Sequence, residues 1–518
     1  MSEYEYFPVN GYRFVAPDID FAPDVIVFRS GDYAVAKDKN GDIIAISKDH
    51  ASVIQAAINH VAEQGGGKIY IAPEDYVISK RIYVKYDNIT IFGAGTSTKL
   101  VMKDNTPEEE YRMFEIKKSD VEGVKNFIMA FMYLDGNREN QLSYTTTPAL
   151  VSSSGENLWF IGLTIRGSMG DGIEAAGKRM YFIGNRITSC VEHEIHLNDV
   201  EDAVIVGNHI HDCGKECIAL WHSAAERVVI ANNVLGPAGL LTTDDGVDVI
   251  SLSKDATRNR DIVITGNIIN ISNSNHGVRI GGWKRVSVIN NIIIGITGRG
   301  YVGIRVEASE TTNAEDIIIR ENIIYNVKHS GIRVDYGTRI AIKGNKLLDV
   351  GQYNEPALWL INTVKSKILD NDIISTVTDK PNYCILEDTG CDYNEIWRNL
   401  LEGYTTAALS KTGANTIVRR NIGYVTENSG VATLSGDGST TDFLIGSHGL
   451  SPSIDDPSKV VVKCTPASPD AIAASPLTCY LSDEEPDGVY ESIRVKFSSA
   501  PASGTDNVKV VWEVEYIG

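Results

Sequence analysis

The sequence predicts an all-β protein: a right-handed parallel β-helix with an N-terminal capping helix and a small C-terminal antiparallel β-sandwich. Three observations predict it. From about residue 157 one phrase returns: an apolar pair, one or two small or polar residues, Asn, any residue, then an apolar residue. It reads FIGNRI, IVGNHI, IANNVL, ITGNII, VINNII, IRENII, IKGNKL, ILDNDI, IWRNLL and VRRNIG. Its asparagines are Asn185, Asn208, Asn233, Asn267, Asn291, Asn322, Asn345, Asn371, Asn399 and Asn421, 22 to 34 residues apart. After most of them comes a short alternating strand, usually opened by Gly: GIEA, GVDVI, GVRI, GIRV. Several strands of three to six residues per repeat fit one coil of a parallel solenoid. The third observation is 46 glycines against 16 prolines, a balance of many tight turns that no helical bundle needs.

The elements follow in order. Residues 1–46 form a strand-rich lead that includes the hairpin YAVAKDKNGDIIAIS with an Asn-Gly turn. In DHASVIQAAINHVAEQGG (49–66), Val53, Ile54, Ala57, Ile58 and Val61 make a helical apolar stripe, ended by the glycines at 65–67. Such a helix covers the open end of a solenoid, which is otherwise an unpaired sheet edge. The solenoid takes 47–428, and within it the stacked asparagines bond from coil to coil about 4.8 Å apart. After about residue 430 the phrase stops. GDGSTTDFLI, KVVVKC, SIRVKFSSAP and NVKVVWEVEYI then alternate like a small sandwich for binding or oligomerisation over 429–518.

Composition narrows the functional classes. A net charge of −20 argues against a nucleic-acid partner. No apolar run reaches the length of a membrane helix, and no Sec signal is visible at the start. Seven cysteines are too few for a disulfide scaffold. Cys464 and Cys479 either pair or remain two buried thiols, and Cys190 and Cys213 read as small stacked core groups. The cysteines and histidines of 190–217 therefore carry no metal site in this reading. No cofactor is expected; the abundance of Asp and Asn leaves structural or catalytic Ca2+ open, without EF-hand spacing.

In a solenoid, equivalent positions of successive coils form columns in space. Aligning the strands on their opening position puts Asp171, His193, Glu216, Asp245 and His276 in one column. The neighbouring outward column reads Glu174, His196, Ala219, Asp248, Arg279, Arg305 and Arg333. Glu307 and Asp335 end the strands that carry the last two arginines. Carboxyls on adjacent coils suit glycoside hydrolysis, in which one protonated acid assists departure and one carboxylate activates water or attacks. Crowding of Glu216, Asp244 and Asp245 supplies the protonated partner, and the arginines read as a stripe that holds an anionic chain. Trp221, Trp283 and Trp359 are candidate sugar-stacking platforms, and Trp221 and Trp283 are the expected ones, since their coils carry the acids.

TTDDGVDV (242–249), SNHGVRIGG (274–282) and VGIRVE (302–307) resemble the Asp-Asp, His-Gly and Arg-Ile-Lys elements of polygalacturonase-type glycoside hydrolases, within the pectin-lyase-like superfamily of right-handed parallel β-helices. The resemblance implies Asp244 as general acid, with Asp245 and the acid one coil earlier activating water. It further implies that His276 supports the acids and Arg305 holds a substrate carboxylate. Glu216 stands where the family has Asp, and Glu307 where it has Lys. The expected function is thus hydrolysis of an acidic or uronate-containing polysaccharide outside the cell or on a virion or cell surface. A polysaccharide lyase or uronate C5-epimerase using His193, His276 and Arg279 is the second expectation. A glycan-binding, tailspike-like fibre is the third. The chain is expected to be a homo-oligomer, a trimer if it is such a spike.

Overall fold

The computed structural model describes residues 22–220, 224–240, 247–252, 260–295 and 301–517, and the backbone of two short paired strands at 6–9 and 12–15. Asp244, Asp245 and Trp221 lie outside the described residues. No described helix is long and apolar enough to cross a membrane.

The body is a parallel β-solenoid whose coils each carry three strands, giving three sheet faces. On the first face one aliphatic residue per coil points inward, and these stack in register as Ile173, Ile195, Ile218, Ile250, Val278, Ile304, Ile332 and Leu358. All eight are wholly buried. The second face stacks Phe160, Phe182, Ile205, Ile230 and Ile264, and the third Ile187, Ile210, Leu235 and Ile269. Each column keeps like side chains one above another, so a single apolar interior runs the length of the solenoid.

The asparagine ladder sits at the corner between the second and third faces. Asn267 represents it: its Nδ2 donates to Ile230 O at 3.0 Å and to Asn291 Oδ1 at 2.9 Å. Its Oδ1 accepts from the backbone N–H and the Nδ2 of Asn233. The same pattern runs from Asn185 to Asn421, and all ten side chains are buried. The residue before each ladder Asn has a positive φ, from Gly184 at 63° to Arg420 at 52°. That single left-handed residue turns the corner, which is why Gly or Asn so often precedes the ladder position.

The corner between the first and second faces is also left-handed at Asp202, Arg227, Asp261, Arg285, Asp316 and Arg339. Their charges alternate, and they pair as Arg227–Asp202, Arg285–Asp261 and Arg339–Asp316, each at 2.6 Å. These pairs are about half exposed, so solvent screens them and they contribute little to stability.

The N-terminal cap is the helix α1 (His50–Glu63), with Asp49 as N-cap accepting from Ser52 N. The five stripe residues are wholly buried. The hairpin pairs Tyr33–Asp38 with Ile43–Ser47, as the Asn-Gly turn predicts. Residues 25–47 are less detached than the sequence suggests, because Val25–Val27 pair in parallel with Ile69–Ile71 of the first coil. At the other end two three-stranded antiparallel sheets form the sandwich, in which Cys464 and Cys479 are disulfide-bonded.

Removing one ladder rung strands several buried polar groups at once. Asn267→Ala is expected to cost about 3 kcal/mol in denaturant unfolding, whereas Arg285→Gln, which breaks a solvent-screened outer ion pair, leaves the unfolding midpoint nearly unchanged. Equal costs would mean that the ladder does not organise the coils.

Candidate active site

The turn from the third face into the first carries the titratable column. The strand Asp248–Leu252 pairs so that Ile250 lies between Ile218 and Val278, and Asp248 faces His276 directly. Asp248 therefore takes the place the sequence assigned to Asp245, and Ser251 takes the place assigned to Asp248 in the outward column. The slip is three residues. Its cause is that the position before the first inward aliphatic need not be Gly: it is Gly172, Gly277 and Gly303 in some coils, but Glu194, Cys217 and Val249 in others. Gly is needed at Gly277 and Gly303 because the next coil's carbonyl oxygen would lie 2.7 and 2.6 Å from a Cβ.

The realigned column is Asp171, His193, Glu216, Asp248 and His276, with its first four members under 9% exposed. Asp171 Oδ1 accepts from His193 N at 3.0 Å and lies 2.8 Å from His193 Nδ1; its Oδ2 lies 2.9 Å from His196 Nδ1. His193 Nε2 is 3.1 Å from Glu216 Oε2. Burial works against the charge of Asp171, but the two imidazoles hold its carboxyl well below the usual range. Burial likewise disfavours a charged His193, yet the flanking Asp171 and Glu216 push its pKa up to about 10. His193 is therefore an imidazolium between two carboxylates at neutral pH.

Two coils on, Asp248 Oδ1 lies 2.6 Å from His276 Nδ1, and its Oδ2 accepts from Ser251 Oγ at 3.1 Å. Arg279 Nη1 stands 3.7 Å from the same carboxylate. Asp248 is wholly buried, while the His276 side chain keeps 15% exposure. A buried carboxylate that holds one ring nitrogen leaves the other for proton exchange.

Arg279, Arg305 and Arg333 stack in register on the first face. They are not the bare basic stripe that the sequence suggests. Arg279 Nε meets Glu307 Oε2 at 2.6 Å, Arg305 Nη2 meets Asp335 Oδ2 at 2.5 Å, and Arg333 Nε meets Asp335 Oδ1 at 3.2 Å. Glu307, read as a lost cation, is instead the partner of Arg279. Burial and the neighbouring Arg333 and Arg279 hold Arg305 below the usual guanidinium range despite Asp335. Glu174 is half-buried, bonded to Ser152 Oγ and Asn198 Nδ2.

Other expectations change. Trp283 is wholly buried in the core and is no sugar platform. Cys213 is disulfide-bonded to Cys217, next to Glu216, whereas Cys190 is a buried free thiol as expected. Trp359, a candidate platform that the sequence ranks below Trp221 and Trp283, carries the Arg333 guanidinium on its ring at 4.1 Å, in register one coil beyond the arginine column. Sequence reasoning missed a cluster on the adjoining turns. There His329 Nδ1 lies 2.9 Å from Glu355 Oε1, and its ring packs between Tyr301 and the exposed Tyr353.

Comparison with known proteins agrees with this architecture. A family model described as a right handed beta helix region matches residues 109–251 and 148–313. A second, described as periplasmic copper-binding protein (NosD), matches 242–424. No curated protein matches. Among solved structures, a mutant tailspike protein of E. coli bacteriophage HK620 in complex with a pentasaccharide is 14% identical with a TM-score of 0.52, covering 92% of each chain. The Pseudomonas phage phi297 tailspike gp61 is 12% identical with a TM-score of 0.51, covering 90% of this chain and 91% of its own. The Azotobacter vinelandii mannuronan C-5 epimerase AlgE4 A-module is 19% identical with a TM-score of 0.48, covering 72% of this chain and 96% of its own. With its stacked coils and asparagine ladder, the chain has the right-handed parallel β-helix fold that the matching family model describes.

Proposed function

We propose that the protein degrades a polysaccharide by acid–base chemistry on the first face, with His276 as the proton-transferring group. The observation that carries this reading is the Asp248–His276 pair, a wholly buried carboxylate 2.6 Å from a partly exposed imidazole, with Arg279 beside it. Asp248 fixes the ring orientation and stabilises the imidazolium that forms when His276 accepts a proton. Arg279, held by Glu307, is the cation for a sugar carboxylate. A positioned base beside such a cation suits abstraction of the C5 proton of a uronate, followed by elimination of the 4-linked sugar.

Hydrolysis is the second reading, favoured by one observation. Glu216 and Asp248 stand in the same register on adjacent coils, about 4.8 Å apart along the axis. That step is close to the carboxyl separation of retaining glycosidases, roughly 5–5.5 Å. In this reading Asp244 and Asp245 join Glu216 as acid and base. The Trp359–Arg333 stack and the Tyr301–His329–Tyr353 cluster support a sugar-binding surface next to either centre. The pentasaccharide bound to the HK620 tailspike mutant supports a glycan ligand for this fold. Two disulfides support an oxidising location, outside the cell or on a virion. Trimeric assembly on the pattern of β-helix spikes belongs to the same proposal.

Digestion of a panel of acidic and neutral polysaccharides separates the readings. Elimination yields a product absorbing near 235 nm, and hydrolysis yields new reducing ends without that absorbance. His276→Ala is expected to lower kcat at least about 100-fold, the usual contribution of a positioned acid or base, with an unchanged circular dichroism spectrum. Under hydrolysis the larger loss falls instead on Glu216→Gln. Full turnover in both variants would remove the site, and a panel left uncut would favour a glycan-binding fibre.

A second outcome concerns Arg279. Arg279→Lys keeps the charge but loses the planar fork, and is expected to raise KM on an acidic glycan about tenfold. An unchanged KM would mean that no substrate carboxylate is held there.

A further inference from the structure

The N-terminal half of the titratable column holds chemistry that the proposed reaction at His276 does not use. Two imidazoles converge on one carboxylate. His193 Nδ1 is 2.8 Å from Asp171 Oδ1 and His196 Nδ1 is 2.9 Å from Asp171 Oδ2. One ligand atom from each of the three residues lies within 4.8 Å of the others. The fold explains the convergence: His193 occupies the turn and His196 the first outward position of the strand, while Asp171 stands one coil below His193.

A second, independent observation concerns the outer contacts. A metal-bound imidazole commonly donates its remaining N–H to a carboxylate, which fixes the ring and its tautomer. His193 Nε2 and Glu216 Oε2 form an ion pair at 3.1 Å, and that buried oxygen, with no hydrogen bond among the described residues, is placed for this role. The backbone N–H of His193 also anchors Asp171 Oδ1 at 3.0 Å, so the carboxylate is oriented before any ligand arrives.

We propose that Asp171, His193 and His196 form a binding site for a first-row divalent transition-metal ion, with Glu216 as the outer partner of His193. Two imidazole nitrogens and one carboxylate suit Zn2+ and its neighbours, whereas Ca2+ and Mg2+ prefer sets made of oxygen alone. On binding, the metal takes the place of the Nδ1 protons that bridge each ring to Asp171, and these protons are released to solvent. His196 is joined to the cluster through Asp171, and its Nε2 has no hydrogen-bond partner among the described residues, so its ring can turn toward the ion. This inference stands apart from the polysaccharide reading and is tested without it.

The test is isothermal titration of the full chain, stripped with chelator, using ZnCl2, with CaCl2 in parallel. One equivalent of Zn2+ is expected to bind, with far weaker binding of Ca2+. His196→Gln is expected to weaken Zn2+ at least about 100-fold, and Glu216→Gln by about 10–100-fold, as losses of a ligand and of an outer partner do. His211→Gln, in the rival pair His209–His211 on the third face, is expected to leave the affinity unchanged. His193→Gln provides a second ligand variant, and circular dichroism confirms that each variant is folded. Absence of stoichiometric Zn2+ binding, or full affinity in folded His196→Gln and His193→Gln, would overturn the proposal. Because the readout is binding, a failure to cut glycans leaves the metal site standing, and the reverse also holds.

Discussion

The asparagine ladder is the interaction on which the rest depends. Each rung satisfies a backbone N–H and a carbonyl at a corner where no strand pairing is available, and hands its own oxygen to the rung before it. A buried amide with partners on both sides locks one coil to the next at a fixed register. Every other property follows from that lock. Like side chains stack inside, left-handed residues stack at the corners, and titratable groups on the first turn are brought within hydrogen-bond distance although 22 to 28 residues separate them in sequence.

The same lock makes burying charge tolerable. An isolated carboxylate with the burial of Asp248 would be strongly destabilising. Here it receives His276, Ser251 and Arg279 from fixed neighbouring positions. The arginines follow the same rule, each meeting an acid at the end of an adjacent or its own strand. The site is consequently close to neutral within itself despite the protein's overall charge of −20.

Much of this was legible in the sequence, for physical reasons. The ladder phrase, the helical stripe from Val53 to Val61 and the Asn-Gly hairpin are local signals, each set by one periodicity or one turn. Asp171, His193, Glu216 and His276 were also placed in one column, because the repeats around them are regular. Asp248 escapes the sequence column because the repeat from Asn233 to Asn267 is the longest, at 34 residues, and Val249 stands where other coils have Gly. The burial of Trp283 and the pairing of each arginine depend on what lies one coil away, which no single repeat reveals. The alternating corner charges from Asp202 to Arg339 were equally hidden: they become a ladder only once the coil register is known.

That register is the central claim, and cysteine cross-linking tests it most directly. In-register neighbours on adjacent coils lie within the Cα separation a disulfide needs, about 4.4–6.8 Å. With Asp248→Cys and His276→Cys combined, mild oxidation followed by non-reducing peptide mapping should yield a 248–276 cross-link, and the Asp248→Cys, Arg279→Cys pair should yield none. A cross-link from the second pair, with none from the first, would contradict the account and return Asp248 to the outward column.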